Sequence, residues 1–514
     1  MKNLITILMM QATALCCFAE TRSIEKPDYM ALFADGISIE RAEFSDENTV
    51  LFFHAAGGEG SAVSFLPSTF LVDEQGNRYK AESSQGIELG ERASMGDEGS
   101  LDFSISFEPL PEGTRVFDCI EGTSAQRYSR FYGIRAKGQA WDVFQRAAVA
   151  DNPFPESFFR IDTIHVSGRI SDSRYDRGNG MGVHYVNSNS QQELIRTFRE
   201  NKGIFDFFGV AEDGTFSFKT LAAKPCLDAL GLFGTEIPVL LIPGDHLHLD
   251  IAQLGEYNQR VTFRSDFSDY SRLLTNTPFM HDEEMDHPTF NDDATFPAQV
   301  WQSLREKQDG RLQICRYLSA KYNLTLTEQQ LMQMEVRGDC ALISLLKMSM
   351  AAAHKFRNDV DGANGRKEKE LLPKRYTEQQ LAESGITTDF SFLKECPLDN
   401  PLSAALPSYE PILYHLSNGG NHILFSKRTK RGGSATDEEN LLDMARQLGF
   451  SKDIGNALVA EHIANQVNAP VADINVEKII RRLQETKEKI KRPHVKVLTE
   501  AEIMTLSHSY KSYE

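Results

Sequence analysis

The spacing of hydrophobic residues changes once along this chain of 514 residues, near Phe267, from a two-residue strand period to a helical period. Residues 101–107 alternate between apolar and polar side chains, which places the apolar ones on one face of a strand. Beyond Phe267, apolar residues recur with the spacing of the buried stripe of a helix. The sequence therefore predicts a multi-domain α+β protein, with two antiparallel β-sandwich-like domains followed by an α-helical domain.

The first β-sandwich-like domain is predicted over residues 27–137. Asp73 and the residues through Asn77 separate the segments 70–72 and 78–80, and Gly76 and Asn77 supply the backbone angles that a tight hairpin turn needs. Short strands separated by glycine and proline turns are typical of an antiparallel sandwich. The strands expected here lie at residues 49–54, 70–72, 78–80, 101–107, 115–122 and 131–134.

A linker is predicted over residues 138–158, and the second β-sandwich-like domain over residues 159–267. Its first strand is expected at residues 163–170, and a hairpin turn is expected at Asp213 and Gly214. The apolar run at residues 237–242 is typical of a buried strand.

The helical domain is predicted over residues 268–514. Residues 328–353 carry a helical pattern that we expect to break at Gly338, giving a helix pair. Thr325 and Glu328 have the spacing of a capping box, in which each side chain binds the other residue's backbone N–H.

Two more helix boundaries are predicted near the end of the sequence. A helix with one apolar stripe is expected over residues 476–491, ended by Pro493. A final helix is expected to start at Thr499, with Glu502 completing a second capping box.

The first residues have the pattern of a secretory signal. Lys2 precedes a short apolar run, and a small residue, Ala19, precedes the charged Glu20. We therefore expect a signal peptide over residues 1–19 and an exported protein in the periplasm or associated with the outer membrane. Lipidation at Cys16 or Cys17 and a short membrane anchor are the alternatives. No later apolar run approaches the roughly 20 residues of a membrane-spanning helix, so no span is expected in the mature chain.

The net charge and the cysteine content limit the classes of partner and of fold that are expected. The formal net charge of −18 argues against nucleic acid and anionic membrane surfaces as partners. The cysteines after Cys17 are odd in number and include no Cys-x-x-Cys pair, which excludes the disulfide framework of small secreted domains. Buried thiols are expected, with a pair between Cys315 and Cys340 as the alternative.

Two histidine groups are the candidate metal ligands. His246, His248 and Asp250 alternate along one strand and share a face, as metal ligands can. His281 and His287 flank an acidic run that could hold a cation. The opposing interpretation is solvent exposure, since Leu247 and Leu249 must take the buried face and the acidic run reads as a solvated loop. We therefore predict no catalytic, cofactor-binding or metal-binding residue and no cofactor.

The strand and turn motifs resemble those of a family of bacterial envelope proteins. The motifs are Phe-Glu-Pro-Leu-Pro at residues 107–111, Phe-Asp-Cys-Ile-Glu-Gly at residues 117–122, Tyr-Gly-Ile at residues 132–134, Pro-Val-Leu-Leu-Ile-Pro-Gly-Asp-His-Leu at residues 238–247 and Asp-Phe-Ser-Phe-Leu-Lys at residues 389–394. They resemble the N-terminal β domains and helical spacer of TlpA/ResA-like thiol-disulfide oxidoreductases. In that family a thioredoxin-like domain with a Trp-Cys-x-x-Cys motif follows.

The chain departs from this family at the reactive motif. Neither Trp141 nor Trp301 is followed by cysteine, so no catalytic residue of the family can be assigned here. The sequence ends about where the redox domain would begin. We therefore expect an exported non-catalytic envelope protein with an interaction or scaffold role and an unknown protein or peptide partner. The alternatives are the accessory portion of a TlpA/ResA-like oxidoreductase whose thioredoxin-like domain is lost or separately encoded, and a metal-binding module.

Overall fold

The chain forms an α+β structure in which β-sheets come first and helices follow, as the sequence predicts. The computed structural model describes residues 22–58, 60–122, 129–141, 144, 149–171, 185–187, 209–232, 235–253, 260–267, 273–274, 298–362, 391–419, 437–468 and 475–511. It divides into two compact units, Met1–Ala147 and Ala148–Glu514. The predicted signal peptide lies outside the described residues. The predicted domain boundary at residue 267 falls within the second unit and remains a prediction.

The first unit is built on a curled nine-stranded sheet in which every neighbouring pair is antiparallel, in the order β1-β3-β4-β9-β7-β6-β10-β11-β2. A separate two-stranded sheet joins β5 and β8. The strands are β1 (Arg22–Glu25), β2 (Asp28–Leu32), β3 (Ile37–Phe44), β4 (Thr49–Ala56), β5 (Ala62–Val63), β6 (Phe70–Val72), β7 (Arg78–Gln85), β8 (Ala93–Ser94), β9 (Ser100–Phe107), β10 (Phe117–Ile120) and β11 (Arg130–Arg135).

Phenylalanine side chains fill the core of this sheet. Phe103, Ile105 and Phe107 of β9 are buried, as their alternation predicts. The Phe103 ring stacks on Phe53 with the centroids 5.0 Å apart. Such aromatic pairs add about 0.5–1.5 kcal/mol to the stabilisation from burial alone.

The predicted β6–β7 hairpin is present, with Val72 paired to Arg78. Gly76 has a φ of +89°, which only glycine adopts without strain. The Asp73 carboxylate accepts hydrogen bonds from the backbone N–H of Asn77 at 2.8 Å and from the Tyr79 hydroxyl at 2.9 Å. Although desolvation opposes them, hydrogen bonds from Asn77 and Tyr79 lower the pKa of Asp73 overall.

The second unit begins with two sheets that share one apolar core. The four-stranded sheet has the order β14-β12-β17-β18, and the three-stranded sheet has the order β13-β15-β16. Ile164 and Leu247 from the first sheet and Leu230 and Val239 from the second belong to the same buried cluster. The strands are β12 (Asp162–Ile170), β13 (Tyr185–Asn187), β14 (Thr215–Ala222), β15 (Cys226–Leu232), β16 (Thr235–Leu241), β17 (His246–Gln253) and β18 (Arg260–Arg264).

One pair in these sheets departs from the expected antiparallel arrangement. β12 and β17 run parallel, with His165 opposite His246 and Ile170 opposite Ile251. Parallel neighbours need a crossover connection rather than a hairpin. Strands β13 to β16 lie between them in the sequence.

Seven helices are described in the remainder of the second unit. They are α1 (Ala298–Tyr322), α2 (Leu326–Gly362), α3 (Tyr409–Tyr414), α4 (Asp437–Leu448), α5 (Lys452–Ala464), α6 (Val476–Lys487) and α7 (Pro493–Lys511). Short 3₁₀ segments lie at Ser391–Glu395 and Pro401–Ala405. Within the described part of the chain, no helix combines the length and apolar character needed to cross a membrane.

The capping box at the start of α2 is confirmed, but the predicted break in this helix is wrong. Glu328 accepts a hydrogen bond from the Thr325 N–H at 2.6 Å, and Thr325 Oγ1 accepts one from the Glu328 N–H at 3.2 Å. The helix continues through Gly338. A Cβ atom at Gly338 would lie 2.2 Å from Ser408 Oγ, so this glycine allows close packing rather than ending the helix.

Two other predicted boundaries are shifted. The helix expected to reach residue 491 ends at Lys487. The proline expected to end that helix is instead the first residue of α7, where its missing N–H and fixed φ suit the first helical turn. Thr499 therefore lies inside α7 rather than at its start.

The substitution Gly168→Ala tests the packing between the strands of the second unit. A Cβ atom at Gly168 would lie 2.3 Å from Cζ of Phe216 and 2.7 Å from the backbone oxygen of Leu249. We expect the substitution to lower the free energy of unfolding by about 1–3 kcal/mol, because the aromatic ring and strand β17 must move. Urea unfolding followed by circular dichroism measures this change.

The matched control is Gly310→Ala in helix α1, where an added Cβ atom meets nothing within 4 Å. Alanine is a better helix former than glycine by about 0.5–1 kcal/mol, so this variant should be more stable than the wild type. If both substitutions changed the free energy of unfolding by the same amount, the close packing at Gly168 would be contradicted.

Candidate functional site

The outer face of the four-stranded sheet collects the polar residues singled out in the sequence. Leu247 and Leu249 are buried, as expected, so His246, His248 and Asp250 lie on the opposite face of β17. The parallel register with β12 sets His165 beside His246, Ser167 beside His248 and Arg169 beside Asp250. The face therefore carries three histidines and a serine on two adjacent strands.

A chain of hydrogen bonds runs across this face through His248. Ser167 Oγ lies 2.8 Å from His248 Nδ1, and His248 Nε2 lies 3.4 Å from Asp250 Oδ1. Arg264 of strand β18 donates to the other oxygen of Asp250 at 2.7 Å. The His248 side chain is one-third exposed, at 33%, so solvent and small molecules can reach the site.

A second histidine pair lies next to this chain. The rings of His165 and His246 stack with centroids 4.7 Å apart, and His246 Nδ1 lies 2.7 Å from Asp266 Oδ2. The buried Asp245 carboxylate, which directly precedes β17, accepts hydrogen bonds from Ser265 Oγ at 2.7 Å and from the Asp266 N–H at 2.9 Å. These bonds hold Asp266 beside His246. Burial raises the pKa of Asp245 despite these hydrogen bonds.

The side chains proposed as metal ligands on β17 have other partners in the structure. His246 and His248 each bind a carboxylate of the protein, and His165 stacks on His246 rather than converging on a shared point. Among the described residues, no group of three or more histidine, cysteine, aspartate or glutamate side chains is arranged to hold a metal ion. The other candidates, His281 and His287, lie outside the described residues.

All five described cysteines are buried thiols, in agreement with the favoured interpretation of the sequence. Burial raises the pKa of Cys315 and of Cys396 to about 12. Burial, with Glu121 and Asp118 nearby, also raises the pKa of Cys119 well above its ordinary value. A high pKa keeps a thiol protonated, and the protonated form is a poor nucleophile in thiol–disulfide exchange.

A cleft of about 360 Å³ in the helical part is a second candidate site. Its Asp399 carboxylate is already held by Arg492, whose Nη1 donates at 2.5 Å, and by the Ser451 N–H at 3.0 Å. The volume lies at the lower end of the range for small-ligand sites, about 300–1,000 Å³. The cleft is lined by Lys394, Cys396, Pro397, Leu398, Asp399, Gln447, Leu448, Gly449 and Phe450.

Sequence reasoning identified His248 and Asp250 but missed Ser167, His165, Arg264 and Asp266. The alternation within residues 163–170 already placed His165 and Ser167 on one face. Their position beside β17 depends on the parallel pairing, for which the local sequence carries no signal. The partners of His248 could therefore not be named from the sequence.

Comparison of the chain with protein-family models, with curated proteins and with solved structures finds no match in any of the three.

Proposed function

We propose that this chain is an exported envelope protein with an interaction or scaffold role, and that its own cysteines do not carry out thiol–disulfide exchange. The main observation in support is that the described thiols are buried, which argues against thiol–disulfide exchange by this chain. An exchange centre needs an accessible thiolate with a lowered pKa, whereas Cys315 and Cys396 are buried and their pKa is raised. The partner is a protein or peptide of the envelope.

The cleft at Asp399 supports a binding role. Apolar side chains such as Leu398 and Phe450 line it beside the amine-bearing Lys394. This mixture suits a small amphipathic ligand or a peptide side chain, because apolar walls supply burial and a few polar groups supply orientation. The outer face of the four-stranded sheet is the more polar candidate contact surface.

The alternative role, an accessory portion of a TlpA/ResA-like oxidoreductase, is compatible with the same thiols. In that case a separate thioredoxin-like chain supplies the thiolate, and this chain positions it. An adjacent reading frame that encodes such a domain, with binding of its product to this chain, would favour the alternative. Failure of the two purified proteins to bind would count against it.

Thiol reactivity tests the proposal directly. We expect the native protein to give no turnover in an insulin-reduction assay. We also expect the five buried cysteines to react with a maleimide at least about 100-fold more slowly than an exposed thiol, because the reagent cannot reach a buried sulfur. Peptide mass spectrometry measures the labelling of each cysteine. The intact mass of the exported protein reports whether residues 1–19 have been removed.

The matched control is Leu326→Cys, which places a thiol at a position where the side chain is 56% exposed. This thiol should react rapidly in the native state, and all cysteines should react rapidly in denaturant. Insulin reduction by the native protein, or rapid labelling of Cys396, would overturn the proposal.

A further inference from the structure

We propose that Ser167 is an activated nucleophile for acyl transfer from esters, with His248 as its general base. The inference goes beyond the interaction role and rests on the hydrogen-bond chain of the sheet face. A serine hydroxyl attacks a carbonyl when an adjacent base accepts its proton and a third group orients that base. Ser167, His248 and Asp250 stand in this relation.

The hydrogen bonds determine which nitrogen of His248 acts as the base. An ionised carboxylate only accepts hydrogen bonds, so the nitrogen facing Asp250, Nε2, carries the proton. The other nitrogen, Nδ1, then presents its lone pair to Ser167 Oγ at 2.8 Å. The Nε2–Oδ1 separation of 3.4 Å is long, as catalytic hydrogen bonds often are before substrate binds.

The surroundings fix this geometry. Ser167 and His248 are register partners on neighbouring strands, which hold side chains more precisely than loops do. Arg264 donates to Oδ2 of Asp250 at 2.7 Å and holds this carboxylate in place. Other charged or titratable groups on this face are Arg169 and His165 of β12, Lys219 of β14 opposite His165, His246 of β17, and Asp266, which pairs with His246.

The proposed step conserves atoms and charge. Ser167 Oγ forms a bond to the ester carbonyl carbon, while its proton moves to His248 Nδ1. The carbon–oxygen bond to the leaving group then breaks, and the departing alkoxide takes the proton from His248. Water then attacks the acyl carbon and gives a proton to the same nitrogen. The bond from that carbon to Ser167 Oγ breaks, the acyl group leaves as a carboxylic acid, and the proton passes from His248 back to Ser167 Oγ. Arg169, two residues along the same face of β12, supplies positive charge for the developing oxyanion.

An alkyl fluorophosphonate is the probe, because it forms a bond from a serine oxygen to phosphorus and releases fluoride. Ser217 is an internal control, since it is the register partner of Ser167 on β14. We expect Ser167 to be labelled at least about 100-fold faster than Ser217, as general-base assistance allows. Peptide mass spectrometry of the native full-length protein measures both rates. Equal labelling of the two serines would overturn the proposal.

Three variants test the roles of the partners. His248→Gln should lower the labelling rate of Ser167 by about 100-fold. Asp250→Asn should also lower the labelling rate of Ser167, because an amide can donate to Nε2 and hold the imidazole in the wrong tautomer. Asp250→Glu keeps the carboxylate and should restore part of the rate, whereas a purely structural role of Asp250 would give no such rescue. An unchanged rate in His248→Gln or in Asp250→Asn would contradict the assignment.

Discussion

Replacing Glu410 by glutamine is expected to lower the free energy of unfolding by about 3–5 kcal/mol, because it leaves the ammonium group of Lys224 buried without its carboxylate. The Lys224 side chain is only 1% exposed. Its Nζ atom lies 3.1 Å from Glu410 Oε1 and donates to the backbone oxygen of Ala404 at 2.5 Å. Burial alone would lower the pKa of Lys224, but the nearby carboxylate of Glu410 raises it overall.

The comparison variant is Lys224→Met, which removes the buried charge and keeps most of the apolar stem. We expect this variant to lower the free energy of unfolding by less, about 1–3 kcal/mol. The Ala404 oxygen loses its buried donor, but the partly exposed Glu410 carboxylate can be hydrated. The double variant should be close to Lys224→Met alone. Urea unfolding of the three variants gives the coupling energy. A larger loss in Lys224→Met than in Glu410→Gln would contradict this account.

The contacts of Lys224 also show why the sequence could not reveal how the second unit is assembled. Lys224 lies just before β15, whereas Ala404 and Glu410 lie in the helical part of the chain. Phe159 and Ala223 likewise belong to the same buried cluster as residues of α4 to α7. The spacing of hydrophobic residues indicates which face of a helix or strand is buried, but it does not indicate which distant element packs against that face.

Local patterns predicted the elements well where neighbouring residues decide the structure. The alternation in β9, the Gly76 turn and the Thr325–Glu328 capping box all depend on residues within a few positions of one another. Sequence reasoning failed at Gly338, where close packing against Ser408 explains the glycine better than a helix end does.

The same limit applies to the candidate site. The faces of β12 and β17 follow from alternation, so the exposure of His248 and Asp250 could be predicted. The contact between Ser167 and His248 requires the parallel register of two strands that are distant in sequence. The hairpin with β18 covers only one edge of β17, so the local sequence does not show that β12 and its serine lie at the other edge.

Acidification is expected to destabilise the second unit through His494. This side chain is buried, its ring packs edge-on against Phe159 with centroids 5.6 Å apart, and its Nε2 atom has no hydrogen-bond partner among the described residues. Burial, reinforced by the positive charge of Arg492, lowers the pKa of His494 to about 4, although Asp399 and Asp453 oppose the shift. The folded state therefore favours the neutral imidazole.

The sign of the effect follows from proton binding. An unfolded histidine takes up a proton as the pH falls below about 6.5, whereas the folded His494 does so only near pH 4. The unfolded state thus binds more protons between these values, and stability is full above this window and lost as the pH falls through it. For this one group, we expect a loss of roughly 2 kcal/mol between pH 7 and pH 5.

The substitution His494→Phe isolates this contribution, because it keeps an aromatic ring against Phe159 and removes the titrating nitrogen. The difference in unfolding free energy between the variant and the wild type should therefore move in favour of the variant by roughly 2 kcal/mol from pH 7 to pH 5, as measured by urea unfolding at each pH. A constant difference between His494→Phe and the wild type across this range would mean that His494 takes up its proton over the same pH range in the folded and unfolded states, which its buried and unpartnered Nε2 atom argues against.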